Sequence, residues 1–280
     1  MLQQLDKHLL EAVLEEDATW LRRFLYEFAY FGFKEARACL FGALIFLAIF
    51  LVPHNGILGL PRYDALLAIA IAIQVWMLRS GMETRDELKV ICLFHVIGFA
   101  LEAFKTSSGI HSWNYPGFAY TKLFGVPLFS GFMYSAVASY IVQAWRLFEL
   151  RIRHHPPYWM AWVISLVIYV NFFTHHFIPD MRWYITALVL GLYARTSVIF
   201  RPLDRDRSMP LLLAFLLIGF FIWLAENIST FYGIWRYPNQ FGAWATVSMG
   251  KWSSWSLLVI MSFTLVASLK HIKEMIHIPE

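Results

Sequence analysis

The chain has 280 residues, of which 59% are hydrophobic and 15% charged, against about 45–50% and about 25% in soluble globular proteins. That much apolar surface cannot be hidden inside one soluble fold of this length, and the same numbers exclude a disordered, collagen-like or disulfide-scaffold chain. The net charge of +4 is small and no basic patch is interleaved with aromatics, which excludes a nucleic-acid partner.

Residues 1–37 open with charged, helix-forming sequence and lack the early apolar core of a signal peptide. Leu5, Leu9, Val13, Leu14 and Trp20 recur at helical spacing, with Asp6, Glu11, Glu15 and Glu16 between them. This predicts an amphipathic helix on the membrane surface or against the bundle. Eight apolar segments follow, at about 38–53, 63–79, 88–105, 127–147, 158–178, 183–200, 209–226 and 252–270. Pro53, Pro61, Pro127, Pro156, Pro157, Pro179, Pro202 and Pro210 divide them. Several are near or below the ~20 residues of a perpendicular crossing, the second and sixth being the weakest. Eight crossings put 17 of the 23 Lys and Arg on the side of the termini and 6 on the other, which places both termini in the cytoplasm. Cys39 and Cys92 each lie in an apolar run and read as small buried hydrophobes, with no disulfide and no CxxC metal motif.

Two segments resemble each other. Glu102 to Pro116 and Glu226 to Pro238 both fit Glu-x3-Thr-x2-Gly-Ile followed by Trp-x-Tyr-Pro, with His111 and Ser112 inserted in the first. The glutamates are 124 residues apart, and each segment follows an apolar span containing Ile-Gly-Phe. Arg62 and Arg182 open the second and sixth segments, 120 residues apart. The expected fold is therefore all-α: a polytopic helical membrane protein of about eight transmembrane helices in two tandem four-helix repeats, 38–147 and 158–270, after a cytoplasmic amphipathic helix at 1–37.

The repeat also gathers the awkward polar residues at the outer level. Glu102 and Glu226 end the third and seventh spans. A carboxylate within a span costs ~2.5–3.5 kcal/mol on insertion scales, so it faces the protein interior and a partner. As catalytic groups the two would face one cavity and exchange protons; as structural groups each would pair with a Lys or Arg, or cap the backbone after Gly109 and Gly233. Thr106 and Thr230 lie four residues on, on the same face, with Asn227 beside Glu226. His175, His176, Asp180 and Arg182 form a second group. Adjacent histidines are about 100° apart on a helix, so one of them faces a given site. His176 and Asp180, four apart, are acid–base or substrate-binding candidates, or two metal ligands completed by His111 or a glutamate; Asp180 paired with Arg182 is the plain alternative. His111, Trp113, Tyr115, Trp235 and Tyr237 form a third group. They are interfacial aromatics, or the walls of a cavity for an apolar or cationic ligand, a carbocation included. Lys105 and Lys251 read as charge partners or headgroup contacts. The Asp204-Arg205-Asp206-Arg207 run reads as a solvated loop. No constellation stands out in the cytoplasmic half. Walker, GxGxxG, GxSxG and DxxD motifs are absent, and no motif fixes a cofactor or a metal.

At Phe104-Lys105-Thr106, His111 to Pro116, Val126 to Tyr134, Asn171 to His176 and Ala225-Glu226-Asn227, the chain resembles the bacterial integral-membrane family known as domain of unknown function eight-hundred-seventeen. The resemblance implies a protein of the bacterial inner membrane and carries over no catalytic residue. A fainter, fold-level likeness is to membrane proteins of the lycopene-cyclase type, duplicated bundles that act on isoprenoids by proton chemistry. Three functions follow as expectations. The first is an enzyme acting on a lipid or isoprenoid at an outward-facing intramembrane site, with Glu102 or Glu226 donating a proton and the other glutamate or His176 accepting one. The second is a proton-coupled carrier or binding protein for a small solute. The third is a non-catalytic membrane scaffold.

Overall fold

The computed structural model describes residues 20–276. The residues Leu5 to Glu16 of the expected amphipathic helix lie outside that range. Within it the chain forms nine α-helices: α1 Trp20–Ala38, α2 Leu40–Leu51, α3 Arg62–Arg79, α4 Arg85–Lys105, α5 Ser130–Leu147, α6 Tyr158–Thr174, α7 Arg182–Tyr193, α8 Leu211–Phe231 and α9 Gly250–Ile276. Each of the eight apolar segments supplies one of α2 to α9. Prolines set several starts: Pro61, Pro157 and Pro210 stand immediately before α3, α6 and α8, where the missing N–H costs nothing. At α4 a capping box does the same work. Thr84 accepts from the Glu87 N–H, and the Glu87 side chain accepts from the Thr84 N–H.

Two helices are long and apolar enough to cross a membrane, α8 (21 residues, mean hydropathy 2.2) and Gly250–Ile272 of α9 (23 residues, 1.6). The remaining helices fall short of that test: α3, α4 and α5 have 18, 21 and 18 residues and fail on hydropathy or charge, while others end early for local reasons. The segment expected at 183–200 leaves the helix after Tyr193, and Ser197–Phe200 becomes a strand. The segment at 158–178 stops at Thr174. The α2 and α7 helices have 12 residues each, about 18 Å of rise against a ~30 Å hydrocarbon core. Conversely α8 runs five residues past Glu226, so that carboxylate lies inside a helix rather than at its end.

The α9 helix is the axis of the bundle and packs against α4, α5, α6 and α8, so both halves of the sequence share one core. The α8 helix is mostly uncovered, with Leu213, Leu216, Leu217 and Phe221 exposed. Cys39 and Cys92 are exposed free thiols, contrary to their expected burial; they sit on the bare apolar exterior.

Two small sheets complete the fold. Strands β1 (Lys122–Leu123) and β2 (Val126–Pro127) form a hairpin at the end carrying Glu102. Strands β3 (Arg151–Arg153), β4 (Ser197–Phe200) and β5 (Arg207–Pro210) form an antiparallel sheet at the opposite end. The charged run before β5 is not a free solvated loop. Asp204 pairs with Arg23, and Arg207 grips Glu27 through two bonds of 2.6 Å, docking α1; Asp206 pairs with Arg151 and Arg201.

That opposite end also holds a buried polar network which the sequence reading lacked. Glu87 accepts from the Thr84 N–H (2.8 Å), Lys270 (2.7 Å) and Arg146. Glu83 accepts from Ser139 (2.5 Å) and Gln74. Burial drives the Glu83 carboxyl above its ordinary range, against the downward pull of those two donors.

Candidate functional site

The site forms where α4, α5, α6, α8 and α9 meet the loops that follow α4 and α8. Glu102 sits one turn before the end of α4 and is 4% exposed. Its Oε2 accepts from the Trp113 indole (2.7 Å) and the Tyr115 hydroxyl (2.8 Å), and its Oε1 accepts from the Tyr134 hydroxyl (2.6 Å). Glu226 on α8 is equally buried. Its Oε1 accepts from the Tyr237 hydroxyl (2.5 Å) and its Oε2 from the Trp255 indole (2.8 Å). Both carboxylates are thus held by neutral donors, and among the described residues neither is within ion-pair distance of a Lys or Arg. Glu102 has three donors on two oxygens; Glu226 has one on each and keeps more acceptor capacity.

The two matched loops meet. Asn114 and Arg236 exchange both backbone hydrogen bonds, at 3.0 Å each. Trp113 packs against Tyr237 (ring centroids 5.8 Å) and Tyr115 against Trp235 (6.4 Å). The tryptophan of each segment therefore meets the tyrosine of the other. Gly233, at φ +67°, ends α8 in a left-handed turn, and the Ile234 N–H closes back on the Ser229 carbonyl at 3.0 Å. That turn brings Trp235 and Tyr237 back over the helix end. In the first segment the left-handed residue is His111, at φ +47°, two positions beyond Gly109.

The cations take an unexpected place. The buried Lys105 ammonium meets His176 Nε2 at 2.7 Å and His175 Nε2 at 3.2 Å. An ammonium only donates, so both ring nitrogens accept. His175 fits this, since its Nδ1 is 2.9 Å from the Asn171 carbonyl, to which it donates. Both histidines reach one lysine, where a continuing helix would have separated them, because α6 ends at Thr174. For the same reason His176 and Asp180 do not share a helix face. Asp180 is bound instead by the Asn171 amide (3.2 Å), the Arg182 N–H (2.9 Å) and the Arg182 guanidinium (3.1 Å). Burial pushes the Asp180 carboxyl up, but those partners outweigh it and hold it below the ordinary range. The expected ligand pair is therefore split, and among the described residues no three His, Cys, Asp or Glu side chains cluster as metal ligands.

Lys251 lies over the faces of Trp113 (5.0 Å) and Tyr237 (4.8 Å). Two of the four Trp and Tyr faces expected to receive a cationic ligand are covered by the protein's own ammonium. Arg182 ties the start of α7 to α9 through the Gly250 carbonyl (3.0 Å) and the Ser253 hydroxyl (3.4 Å).

A cavity of about 710 Å³, its open mouth included, lies between these groups. Glu102, Glu226, Lys105, Lys251, His175 and Arg182 line it, with Trp113, Trp235 and Tyr237; Leu101, Met133, Phe172 and Leu258 form its apolar wall. Some of the sequence candidates stay outside. His111 is exposed and away from the cavity. The Thr106 hydroxyl returns to the Glu102 carbonyl (2.9 Å), and that of Thr230 to the Asn227 carbonyl (3.0 Å). Asn227 pins the chain before α9 by accepting from the Val247 N–H (2.9 Å). Tyr134 and Trp255, which donate to the glutamates from α5 and α9, were missed. Their only signal is a polar-tipped aromatic inside an apolar helix, which interfacial residues share.

The model of the family described as a protein of unknown function (DUF817) matches residues 27–263. The chain is 51% identical over 252 residues to the uncharacterized protein YoaT of Bacillus subtilis (strain 168), an alignment covering 90% of this chain and 95% of that one. No solved structure matches. A match spanning the nine helices from within α1 to within α9 carries the loops, both glutamates and both lysines with it, and the chain belongs to the DUF817 family.

Proposed function

We propose that this is a multi-pass protein of the bacterial inner membrane, with both termini cytoplasmic, and that the cavity is the site of an enzyme acting on a lipid or isoprenoid. The observation that carries the reading is the pair of buried glutamates on one cavity, each oriented by indole and phenol donors. Such positioning precedes acid–base chemistry. Glu226, with acceptor capacity to spare, is the group that exchanges the proton; Glu102, saturated by three donors, fixes the geometry. The bilayer setting is supported by the uncovered apolar faces of α2, α6, α7 and α8, far more than an isolated soluble chain exposes. The short helices then cross with local thinning or end within the interface. Two four-helix repeats are supported by the reciprocal packing of Trp113 on Tyr237 and Tyr115 on Trp235. On α1, Trp20, Phe24 and Phe28 stack along one exposed stripe beside the docked Glu27, as in a helix lying in the interface.

The test is mass spectrometry of total lipid extracts from wild type, a deletion strain, and the deletion complemented with Glu226→Gln. A lipid that accumulates in the deletion and persists with the variant is the expected result. Identical extracts with the protein present overturn the enzyme reading.

A second reading, a proton-coupled carrier, gains from the buried Glu83 and Glu87 network at the opposite end of α4. Alternating access needs polar groups at both ends. Proton uptake into vesicles driven by a solute and lost with Glu102→Gln decides for it.

A further inference from the structure

We propose that the cavity binds its ligand by an anionic head, a phosphate or carboxylate, held between the Lys105 and Lys251 ammoniums, with an apolar tail along Leu101, Met133, Phe172 and Leu258. This anion site presupposes that the cavity takes a ligand, as under the proposed function, but not that it performs a reaction.

Four observations carry it. First, Lys105 is 5% exposed and lines the cavity, yet among the described residues no carboxylate lies within 4.0 Å of it. Buried charges are ordinarily paired. Second, its direct neighbours are two imidazole acceptors; within electrostatic reach lie two cations, Lys251 and Arg182, and two carboxylates, Asp180 and Glu102, neither in ion-pair contact with it. Third, the Lys251 side chain makes no hydrogen bond among the described residues; it rests on two aromatic faces. An ammonium has three donors. One N–H of Lys105 and the N–H groups of Lys251 not turned to the rings therefore remain for a ligand in the cavity that both side chains line. Fourth, the nearby carboxylates are engaged elsewhere: Glu102 and Glu226 by indoles and phenols, Asp180 by Asn171 and Arg182. Internal ion pairs would have closed the lysines off. Instead the two glutamates face neutral donors, Asp180 is taken by Arg182, and each ammonium is left with donors to give. An anionic oxygen group accepts from these donors through charge-assisted bonds. A cationic ligand meets the charges of Lys105, Lys251 and Arg182 and finds the faces of Trp113 and Tyr237 already covered. The apolar wall beside the head group makes an amphiphile the fitting shape.

The test uses the full chain, purified in a maltoside detergent, and isothermal titration calorimetry with three probes: dodecyl phosphate, dodecyltrimethylammonium and inorganic phosphate. Dodecyl phosphate is expected to bind and dodecyltrimethylammonium not to. Lys251→Gln and Lys105→Gln are each expected to weaken dodecyl phosphate by about tenfold or more, and Lys251→Arg by only a few-fold. Glutamine at 105 still donates to the histidines, and helical circular dichroism on each variant separates lost binding from lost folding. Inorganic phosphate binding as tightly as dodecyl phosphate, with the same lysine dependence, assigns the site to free anions and overturns the amphiphile part. Equal binding of the cationic probe, no binding of either dodecyl probe to wild type, or lysine variants that fold and bind dodecyl phosphate unchanged overturns the anion site. Because no turnover is measured, lysine-dependent binding together with unchanged lipid extracts would leave this site standing and remove the enzyme.

Discussion

Glu102→Leu against Glu226→Leu measures what the two carboxylates do for the fold. At Glu102 the substitution strands three buried donors, the indole of Trp113 and the hydroxyls of Tyr115 and Tyr134. Each unsatisfied group costs about 1–3 kcal/mol, so the loss is roughly 3–9 kcal/mol. That approaches the whole margin of a folded protein, about 5–15 kcal/mol. At Glu226 two donors are stranded, Tyr237 and Trp255, for roughly 2–6 kcal/mol. Glutamine is far milder at either site. Its carbonyl accepts from the indoles, and its amide donates to a tyrosine hydroxyl that turns to accept, for about 1–2 kcal/mol. The assay is reversible unfolding of the purified protein in mixed micelles of mild detergent and dodecyl sulfate, followed by helical circular dichroism. The expected order of stability is wild type, the two glutamine variants, Glu226→Leu, then Glu102→Leu. A Glu102→Leu protein as stable as Glu226→Leu would refute the donor accounting.

Three further outcomes are expected. A Cβ at Gly219 would lie 2.3 Å from the Ser256 hydroxyl and 2.7 Å from the Ser256 backbone nitrogen, so Gly219→Ala pushes α8 off α9 and costs about 1–3 kcal/mol in the same unfolding assay. A Cβ at Gly98 would lie 2.3 Å from Cγ of Tyr134; Gly98→Ala displaces the ring that donates to Glu102, and in a double-mutant cycle its cost is not additive with that of Tyr134→Phe. The depressed Asp180 carboxyl contributes stability that is complete above the unfolded aspartate value of about 3.9 and is lost as pH falls through its lower folded value; the thermal midpoint drops there in wild type and not in Asp180→Asn.

Much of the architecture was legible in the sequence. Apolar runs bounded by Pro61, Pro157 and Pro210 gave helices that start within a residue or two of those prolines, because proline forbids continuation across it. Helix ends were less legible. Nothing local tells that the run through Arg195 to Phe200 leaves the helix; it does so because Val198 and Ile199 pair with β3 and β5, a contact with residues more than forty positions earlier and about ten later. The same limit hid the docking of α1. Asp204 and Arg207 looked solvated because their partners, Arg23 and Glu27, are about 180 residues away. At the site, the repeat pointed to Glu102, Trp113, Tyr115, Glu226 and Tyr237, which do interlock. It could not point to Tyr134 and Trp255, which come from neighbouring helices outside the repeated motif.

That division between repeated and unrepeated residues separates scaffold from specificity. The residues common to both segments, a glutamate, a tryptophan and a tyrosine, satisfy one another across the paired loops and leave few donors open. What differs between the two segments and around them is cationic. Lys105 has Ser229 at the matching position of the second segment, and Lys251, His175 and Arg182 come from outside both. Of these, Lys105 and Lys251 line the cavity with hydrogen-bond donors to spare, while the one N–H of His175 is taken by the Asn171 carbonyl. Two matched segments alone would offer a ligand similar faces; one buried lysine, on the first segment only, gives the cavity a direction. A ligand with distinct ends, charged at one and apolar at the other, is what such a directed cavity can tell apart, and exchanging the lysine to the other segment, Lys105→Ser with Ser229→Lys, is expected to abolish dodecyl phosphate binding rather than to transfer it, because His175 and His176 accept only on the first side.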